Sequence, residues 1–463
     1  MAALLWFRRD LRVADHVALR AAVQDGPVVP VFCLDDRLLA GRHASGPRTQ
    51  FLLECLRDLD GALRERGSGL VVRRGAPERE LPALAREVGA GVVHCTADVG
   101  PFGRRRDAGV AAAIALVEHP GLTVVDDVAD VRTRQGRPYT VFSPFHRTWS
   151  DTPRREVLRA PRSLPPLPAR LRKGRLPSLA ALGLRQEVAE PLPGGETAAR
   201  ERLRRYLAGG VRSYDDDHDQ LGGDRSSRLS AYLHFGCLSA REVEARLPRG
   251  AGADAFRRQL CWRDFFHHVL AHHPGNARSE FQERYRGMRW SRSQTRFDAW
   301  RDGRTGFPLV DAGMRQLRRE GWMHNRARLV VGSFLTKDLG IDWRWGERHF
   351  MRLLIDGDEA NNNGNWQWIA SVGVDPQPAY RRLYNPARHQ ERYDPDGAYV
   401  RRYVPELREV PDRYLAEPWT MPDDVQRAAG CVIGTDYPEP IVDHAEARRA
   451  ALERYRRTST AAG

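Results

Sequence analysis

The sequence predicts an α/β domain followed by an all-α domain, with a long connector between them. Short apolar runs alternate with helical patterns over residues 1–130, which indicates a parallel sheet with helices on both faces. Residues 151–195 contain eight prolines and little apolar periodicity, as is typical of a connector that lies over a surface. From residue 196 onward the patterns are helical. We therefore expect an α/β part at 1–130, a connector at 131–195 and a helical part at 196–463.

The elements of the first part follow from its apolar runs. Strands are expected at four of these runs, and helices at the amphipathic stretches between them. The strands are Ala3–Phe7, Val28–Leu34, Leu70–Arg73 and Val92–His94, and the helices lie near Val17–Val23, Thr49–Arg66 and Leu81–Val88. At the other end of the chain, Ala445–Gly463 is charged and is expected to be a solvated end.

Composition limits the class of function. The formal charge of +14 makes a polyanion such as nucleic acid the first candidate partner, although a solvated basic surface is the alternative explanation. No run of 18 apolar residues is present, so we expect a cytoplasmic protein without membrane contact. The six cysteines form no C-x-x-C pair, so neither a metal site nor a disulfide framework is expected. We also expect a monomer.

One turn carries groups that suit a phosphate. Ser226-Ser227-Arg228-Leu229-Ser230 offers hydroxyls, backbone N–H groups and an Arg just before a helix. Such a turn can hold a pyrophosphate at the helix N-terminus. It can equally be an ordinary N-cap, and the local sequence does not separate the two possibilities.

The sequence resembles the DNA photolyase and cryptochrome family, in particular class I photolyases of cyclobutane pyrimidine dimers. The matching motifs stand in the family's order and span residues 3–440: Trp6–Arg12, Ser227–Gly236, Gly321–Arg326, Asp342-Trp343, Asp356–Asp358 and Asn362–Trp368. The resemblance implies a Rossmann-like N-terminal antenna domain and a C-terminal helical domain that binds FAD.

The resemblance also implies which residues contact FAD. The positions that match the family's cofactor site are Tyr214, Ser226, Ser227, Arg228, Leu229, Ser230, Phe256, Arg263, Trp322, Asn325, Arg328, Asp356, Asp358 and Asn362. Asn362 matches the residue that faces flavin N5. A neutral amide can bond N5 in its protonated state without adding charge, which favours repair over signalling.

Three tryptophans match the family's electron-transfer chain, namely Trp366, Trp343 and Trp290. An indole is readily oxidised by an excited flavin and can pass the hole to a neighbouring indole. Core packing explains any one of them equally well. The joint match of all three favours electron transfer.

The lesion-binding residues follow from a helix face and from the resemblance. Gln259, Trp262, Arg263 and Phe266 share one face by their i, i+3, i+4, i+7 spacing, and Trp262 can present a flat indole to a flipped-out lesion. The positions that match DNA contacts are Gln259, Trp262, Asn325, Arg326 and Leu329. The catalytic set is Trp366, Trp343, Trp290, Asn362, Gln259 and Trp262.

Two departures from the dimer-repair pattern keep other functions open. Gln259 stands where dimer photolyases carry Glu, and Leu329 stands where they carry Met. The alternatives are a six-four photolyase and a cryptochrome without repair. Against the six-four enzyme, Asn325 stands where that class has a second His, and Asn cannot exchange protons in its place.

A second, light-harvesting chromophore is expected in the α/β part. The Glu that would hold a folate pterin is missing from the loop around Asp98, whereas Arg48 and Asp98 match deazaflavin-binding positions. We therefore prefer a deazaflavin to methenyltetrahydrofolate, with no antenna as the alternative. Without a ligand, Arg104–Arg106 would be an exposed basic turn.

Overall fold

The computed structural model describes residues 2–41, 44–375 and 377–460. Its first part is a five-stranded parallel sheet in the order β3-β2-β1-β4-β5. The elements in chain order are β1 (Ala2–Phe7), α1 (Val17–Asp25), β2 (Val28–Leu34), α2 (Asp36–Leu39), α3 (Gly46–Arg64), β3 (Val71–Arg74), α4 (Pro77–Val88), β4 (Ala90–Thr96), α5 (Pro101–Ala111) and β5 (Ala115–His119). The predicted α/β fold class is confirmed.

Both faces of the sheet are covered, as a parallel sheet requires. Successive side chains of a strand point to opposite faces, and β1 illustrates this. Leu4 and Trp6 pack with α4 on one face, whereas Leu5 and Phe7 pack on the other face with α1, α3 and parts of the helical domain. The sheet is thereby joined to the second domain through one of its faces.

The sequence reading missed the last two elements of this domain, α5 and β5. Strand β5 is an edge strand with mostly exposed or half-exposed side chains, so it lacks the apolar run by which the other strands were found. The alternative of an exposed basic turn at Arg104–Arg106 is wrong, because these residues lie in α5 and Arg106 is buried.

The stretch from residue 152 to 195 is extended, with one short 3-10 helix at Ala180–Leu182. The preceding residues form α6 (Phe142–Asp151), in which Phe142, Phe145 and Trp149 are buried. The division of the chain at residues 130 and 195 remains our proposal, with α6 placed inside the connector.

The second part is helical, and among its described residues strand-type pairing is limited to two isolated bridges. Its α-helices are α7 (Glu196–Ala208), α8 (Tyr214–Asp217), α9 (Ser230–His234), α10 (Ala240–Ala245), α11 (Ala251–His272), α12 (Gln294–Asp302), α13 (Pro308–Glu320), α14 (Asn325–Ser333), α15 (Trp343–Leu353), α16 (Glu359–Ile369), α17 (Pro386–Tyr393), α18 (Ala398–Tyr403), α19 (Asp412–Leu415), α20 (Asp423–Ala428) and α21 (His444–Thr460). None of the described helices is both long and apolar enough to cross a membrane.

The expectation of a solvated C-terminal end is wrong for the described residues up to Thr460. Helix α21 packs on the helical core through Ala451 and Tyr455, which are four residues apart and share one face. The Tyr455 hydroxyl donates to the carbonyl of Ala370. The many charges of this segment lie on the other faces of the helix and obscured a short apolar stripe.

Candidate active site

The helical domain contains a cavity of about 520 Å³, which is within the range of ~300–1,000 Å³ usual for cofactor sites. All the residues assigned above to the cofactor line it, and they come from distant parts of the sequence. They are Tyr214, Ser226, Ser227, Arg228, Leu229, Ser230, Phe256, Arg263, Trp322, Asn325, Arg328, Asp356, Asp358 and Asn362. We call this space the central cavity.

The Ser226–Ser230 turn forms one end of the central cavity. Helix α9 begins at Ser230, and within the described part of the chain no side chain caps its first N–H groups. Ser226 Oγ is buried and has no hydrogen-bond partner among the described residues. A buried hydroxyl without a partner costs free energy. These features favour a ligand at this turn over an ordinary N-cap.

An ion pair forms part of the cavity wall. Arg328 Nη2 donates to Asp356 Oδ2 at 2.8 Å, and Arg328 Nε donates to the carbonyl of Met323 at 2.8 Å. The second carboxylate oxygen, Asp356 Oδ1, is buried without a hydrogen-bond partner in the described part of the chain. A fixed guanidinium beside an unpaired acceptor suits a ring with both hydrogen-bond donors and acceptors on its edge, as an isoalloxazine has.

The guanidinium of Arg228 contacts side chains of the protein itself. The backbone of Arg228 has φ of 50°, an uncommon conformation for a residue with a side chain. The guanidinium lies 4.3 Å from the centre of the Trp322 ring and pairs with Glu320 at 2.9 Å. Arg228 therefore orients Trp322 as well as lining the cavity.

Asn362 is held by a partner that the sequence reading missed. Its Nδ2 donates to the backbone carbonyl and to Oε1 of Glu347, both at 3.0 Å. These two bonds occupy the donor end of the amide and leave Oδ1 as an acceptor. The side chain is thereby oriented to accept a hydrogen bond from a protonated nitrogen in the cavity.

The three tryptophans of the proposed chain differ in burial. Trp366 lines the central cavity, Trp343 is fully buried and Trp290 is half-buried. Among the described residues, the aromatic contacts of Trp366 are instead with Trp300 at 6.2 Å and Phe350 at 5.0 Å between ring centres. Trp300 was not selected from the sequence, because no motif distinguishes it from a core residue.

Gln259 and Trp262 lie at the mouth of the cavity on α11, together with Arg263 and Phe266. The Trp262 ring stacks on Phe142 with ring centres 3.6 Å apart and planes 3° apart. Phe142, from α6, thus fixes the orientation of the indole, and nothing in the helical part of the sequence pointed to it. The side chain of Gln259 is exposed and has no hydrogen-bond partner among the described residues.

The start of α14 also lines the central cavity. Asn325, Arg326 and Leu329 all line the cavity there. His324 caps this helix, since its Nδ1 accepts from the Arg326 N–H at 3.2 Å. Burial lowers the pKa of His324 to about 4, so the imidazole is neutral at pH 7.

A second cavity of about 710 Å³ lies between the two domains. Both residues assigned to the antenna, Arg48 and Asp98, line it, as do Trp6 and Phe102. Burial lowers the pKa of Arg48 to about 10. Burial opposes ionisation of Asp98, but the charges of Arg9, Arg8 and Arg106 and the Gly100 N–H together outweigh it and keep the pKa of Asp98 below its usual value.

Comparison with known proteins agrees with this arrangement. Residues 3–169 match the family model "DNA photolyase", and residues 256–457 match "FAD binding domain of DNA photolyase". A deoxyribodipyrimidine photo-lyase from Streptomyces griseus is 43% identical over 98% of this chain and 99% of that protein. Among solved structures, a class III photolyase from Agrobacterium tumefaciens has a TM-score of 0.92 at 34% identity, with 99% of this chain and 98% of that one covered. A cryptochrome from Synechocystis has a TM-score of 0.90 at 30% identity, with 98% of each chain covered.

Proposed function

The chain belongs to the DNA photolyase family, and we propose that it repairs cyclobutane pyrimidine dimers in DNA by light-driven electron transfer from excited, reduced FAD to the lesion. The central cavity carries this proposal. It joins an Arg328–Asp356 pair and unpaired buried polar atoms, which fit a flavin, to a mouth that carries an oriented indole. FAD bound there in its reduced form would supply, on excitation, the electron that splits the dimer, and the split product would return that electron.

The residues of the chain bind and orient both partners of this reaction. Tyr214 and the Ser226–Ser230 turn hold the phosphate end of the cofactor, while Arg328 and Asp356 hold its ring. Trp262 stacks against the extruded lesion, and Gln259 bonds its polar edge. Trp366, Trp343 and Trp290 would carry electrons from an external reductant to cofactor that has become oxidised, whereas the repair step itself consumes no electron, because the split product returns it.

Two alternatives differ in the groups they need. A six-four photolyase needs an acid–base pair at the lesion, whereas here His324 is neutral and engaged with Arg326, and its neighbour is Asn325. A cryptochrome without repair is favoured by one observation, the Gln at position 259. A cryptochrome without repair would bind no lesion, so the stacked indole of Trp262 at the cavity mouth would have no binding role.

For the antenna we propose a deazaflavin in the second cavity. The carboxylate of Asp98 and the guanidinium of Arg48 line the same space, which is large enough for a tricyclic ring. Methenyltetrahydrofolate is the less favoured occupant, because the carboxylate that would hold its pterin is missing from this loop.

We propose that the partner is damaged DNA, bound by a monomer. The affinity of the protein for DNA is expected to fall steeply as the salt concentration rises. Neutralised phosphates release counterions, so the slope of log K against log salt is about −0.9 per phosphate contact on duplex DNA. Arg326, which lines the central cavity, and the exposed Arg381 are candidate contributors. Arg381→Gln should reduce the slope by roughly one in fluorescence titrations with duplex DNA. Arg456→Gln, on the exposed face of α21, is the matched control. A slope that is the same in Arg381→Gln as in the wild-type protein would argue against this surface as the DNA site.

A light-dependent repair assay tests the function directly. Purified protein is illuminated with two oligonucleotides, one with a single cyclobutane dimer and one with a single six-four photoproduct. We expect restoration of the first only, and no restoration in the dark. Denatured protein should release FAD and a deazaflavin, identified by mass. Restoration of the six-four substrate, or of neither at any light dose, would replace the proposal with the corresponding alternative. A folate or no second chromophore would overturn the antenna assignment.

A further inference from the structure

We propose that Arg9, a residue of the α/β domain, is a positioning residue of the flavin site. It holds Asp358, and Asp358 in turn fixes the start of the helix that carries Asn362 and Trp366. The inference rests on the proposed function, because it takes the central cavity to be the FAD site.

Asp358 is the N-cap of α16. Its Oδ1 accepts from the Asn361 backbone N–H at 2.8 Å and from Asn361 Nδ2 at 2.7 Å. An N-cap of this kind satisfies N–H groups that have no partner inside the helix. Asn362 and Trp366 lie in the first two turns after this cap, and both line the central cavity. A shift of the cap therefore moves both side chains relative to the flavin.

The other oxygen of Asp358 faces three side chains. Oδ2 accepts from Arg9 Nη2, and it lies 3.7 Å from His234 Nδ1 and 3.6 Å from His267 Nε2. Burial lowers the pKa of each of these histidines to about 4, so both are neutral at pH 7. Burial also opposes ionisation of Asp358, but Arg9, His267 and His234 together outweigh it and hold the pKa of Asp358 well below its usual value. Arg9 makes the largest of these favourable contributions, and of the three groups it is the one that is charged at pH 7.

Arg9 reaches Asp358 across the boundary between the domains. It follows β1, and its Nε donates to the carbonyl of His234 at 3.4 Å. The two backbones meet tightly here, because a Cβ added at Gly236, where φ is +66°, would lie 2.1 Å from the Arg9 carbonyl oxygen. Arg9 Nη1 lies 3.8 Å from Asp98, which lines the second cavity. One guanidinium thus lies between the carboxylates of the two cavities.

The test compares Arg9→Gln and Arg9→Lys with the wild-type protein. The measurements are the dissociation constant of FAD from the apoprotein, the midpoint potential of bound FAD and the melting temperature of the apoprotein. Loss of a charge-assisted bond should raise the FAD dissociation constant roughly tenfold in Arg9→Gln and shift the potential. Arg9→Lys should restore part of both. Arg105→Gln is the matched control, since Arg105 is an exposed Arg that lines the same second cavity.

A double-mutant cycle with Asp358→Asn locates the effect. If Arg9 acts through Asp358, adding Arg9→Gln to Asp358→Asn should change the FAD affinity little further. Fully additive effects would overturn the inference. So would an Arg9→Gln protein with a lowered melting temperature but wild-type FAD affinity and potential. A wild-type protein that binds FAD without repairing dimers would overturn the proposed function alone, and one that binds no FAD would overturn both.

Discussion

Replacement of Trp366 by Phe is expected to slow photoreduction of the bound cofactor by roughly tenfold or more, equivalent to about 1.4 kcal/mol in the barrier. Trp366 is the one tryptophan of the proposed chain that lines the central cavity, and a phenyl ring is much harder to oxidise than an indole. The rate is measured from the change in flavin absorbance during blue-light illumination in the presence of an external thiol.

The surroundings of Trp366 provide two controls. Trp300→Phe makes the same chemical change 6.2 Å away in a fully buried ring. Gly346→Ala keeps the indole but displaces it, because a Cβ at that position would lie 2.1 Å from Trp366 Cη2. If the photoreduction rate falls as much in Trp300→Phe as in Trp366→Phe, the electron-transfer route includes Trp300. Unchanged rates in all three variants would mean that these rings serve packing only.

Replacement of Gln259 is expected to separate lesion binding from chemistry. Gln259→Ala should weaken dimer binding by about 1–3 kcal/mol, the cost of leaving a polar group of the lesion unmatched. Gln259→Glu should preserve or raise the repair yield, provided that the carboxyl is protonated beside the flavin, because a protonated carboxyl can donate to the dimer. Lesion affinity and the quantum yield of repair are measured side by side for all three proteins.

Gln294→Ala is the matched control for this series, because Gln294 is also exposed but lies on α12, outside the cavity lining. Equal repair by the Gln, Glu and Ala proteins would show that position 259 does not contact the substrate. A lower repair yield or lesion affinity in Gln294→Ala would point to a general effect on stability.

The parts of the fold that could be predicted were those with a clear local pattern. The apolar strands β1 and β2 were located to within a residue, whereas edge strand β5 was missed because its side chains are mostly exposed. Helix α21 was mistaken for a solvated end because its apolar stripe consists of only two buried residues, Ala451 and Tyr455.

The cavity lining could be predicted only through motifs that recur in a family, since its members lie up to about 150 residues apart in sequence. What could not be predicted were the partners that orient these residues. Phe142 and Arg9 are each more than 100 residues away from Trp262 and Asp358, which they hold. Glu347 lies 15 residues before Asn362 on a different helix. Such pairs follow from tertiary packing and leave no local pattern.

The hydrophobic core has a consequence for how the molecule unfolds. One continuous cluster contains Phe7 and Leu59 from the α/β domain together with Leu233, Phe256 and Phe265 from the helical domain. Separating the two domains would expose this shared apolar surface to water, at a cost of about 25 cal/mol for each Å². We therefore expect the two domains to unfold as one cooperative unit, so that a cofactor bound in either cavity stabilises the whole chain against unfolding.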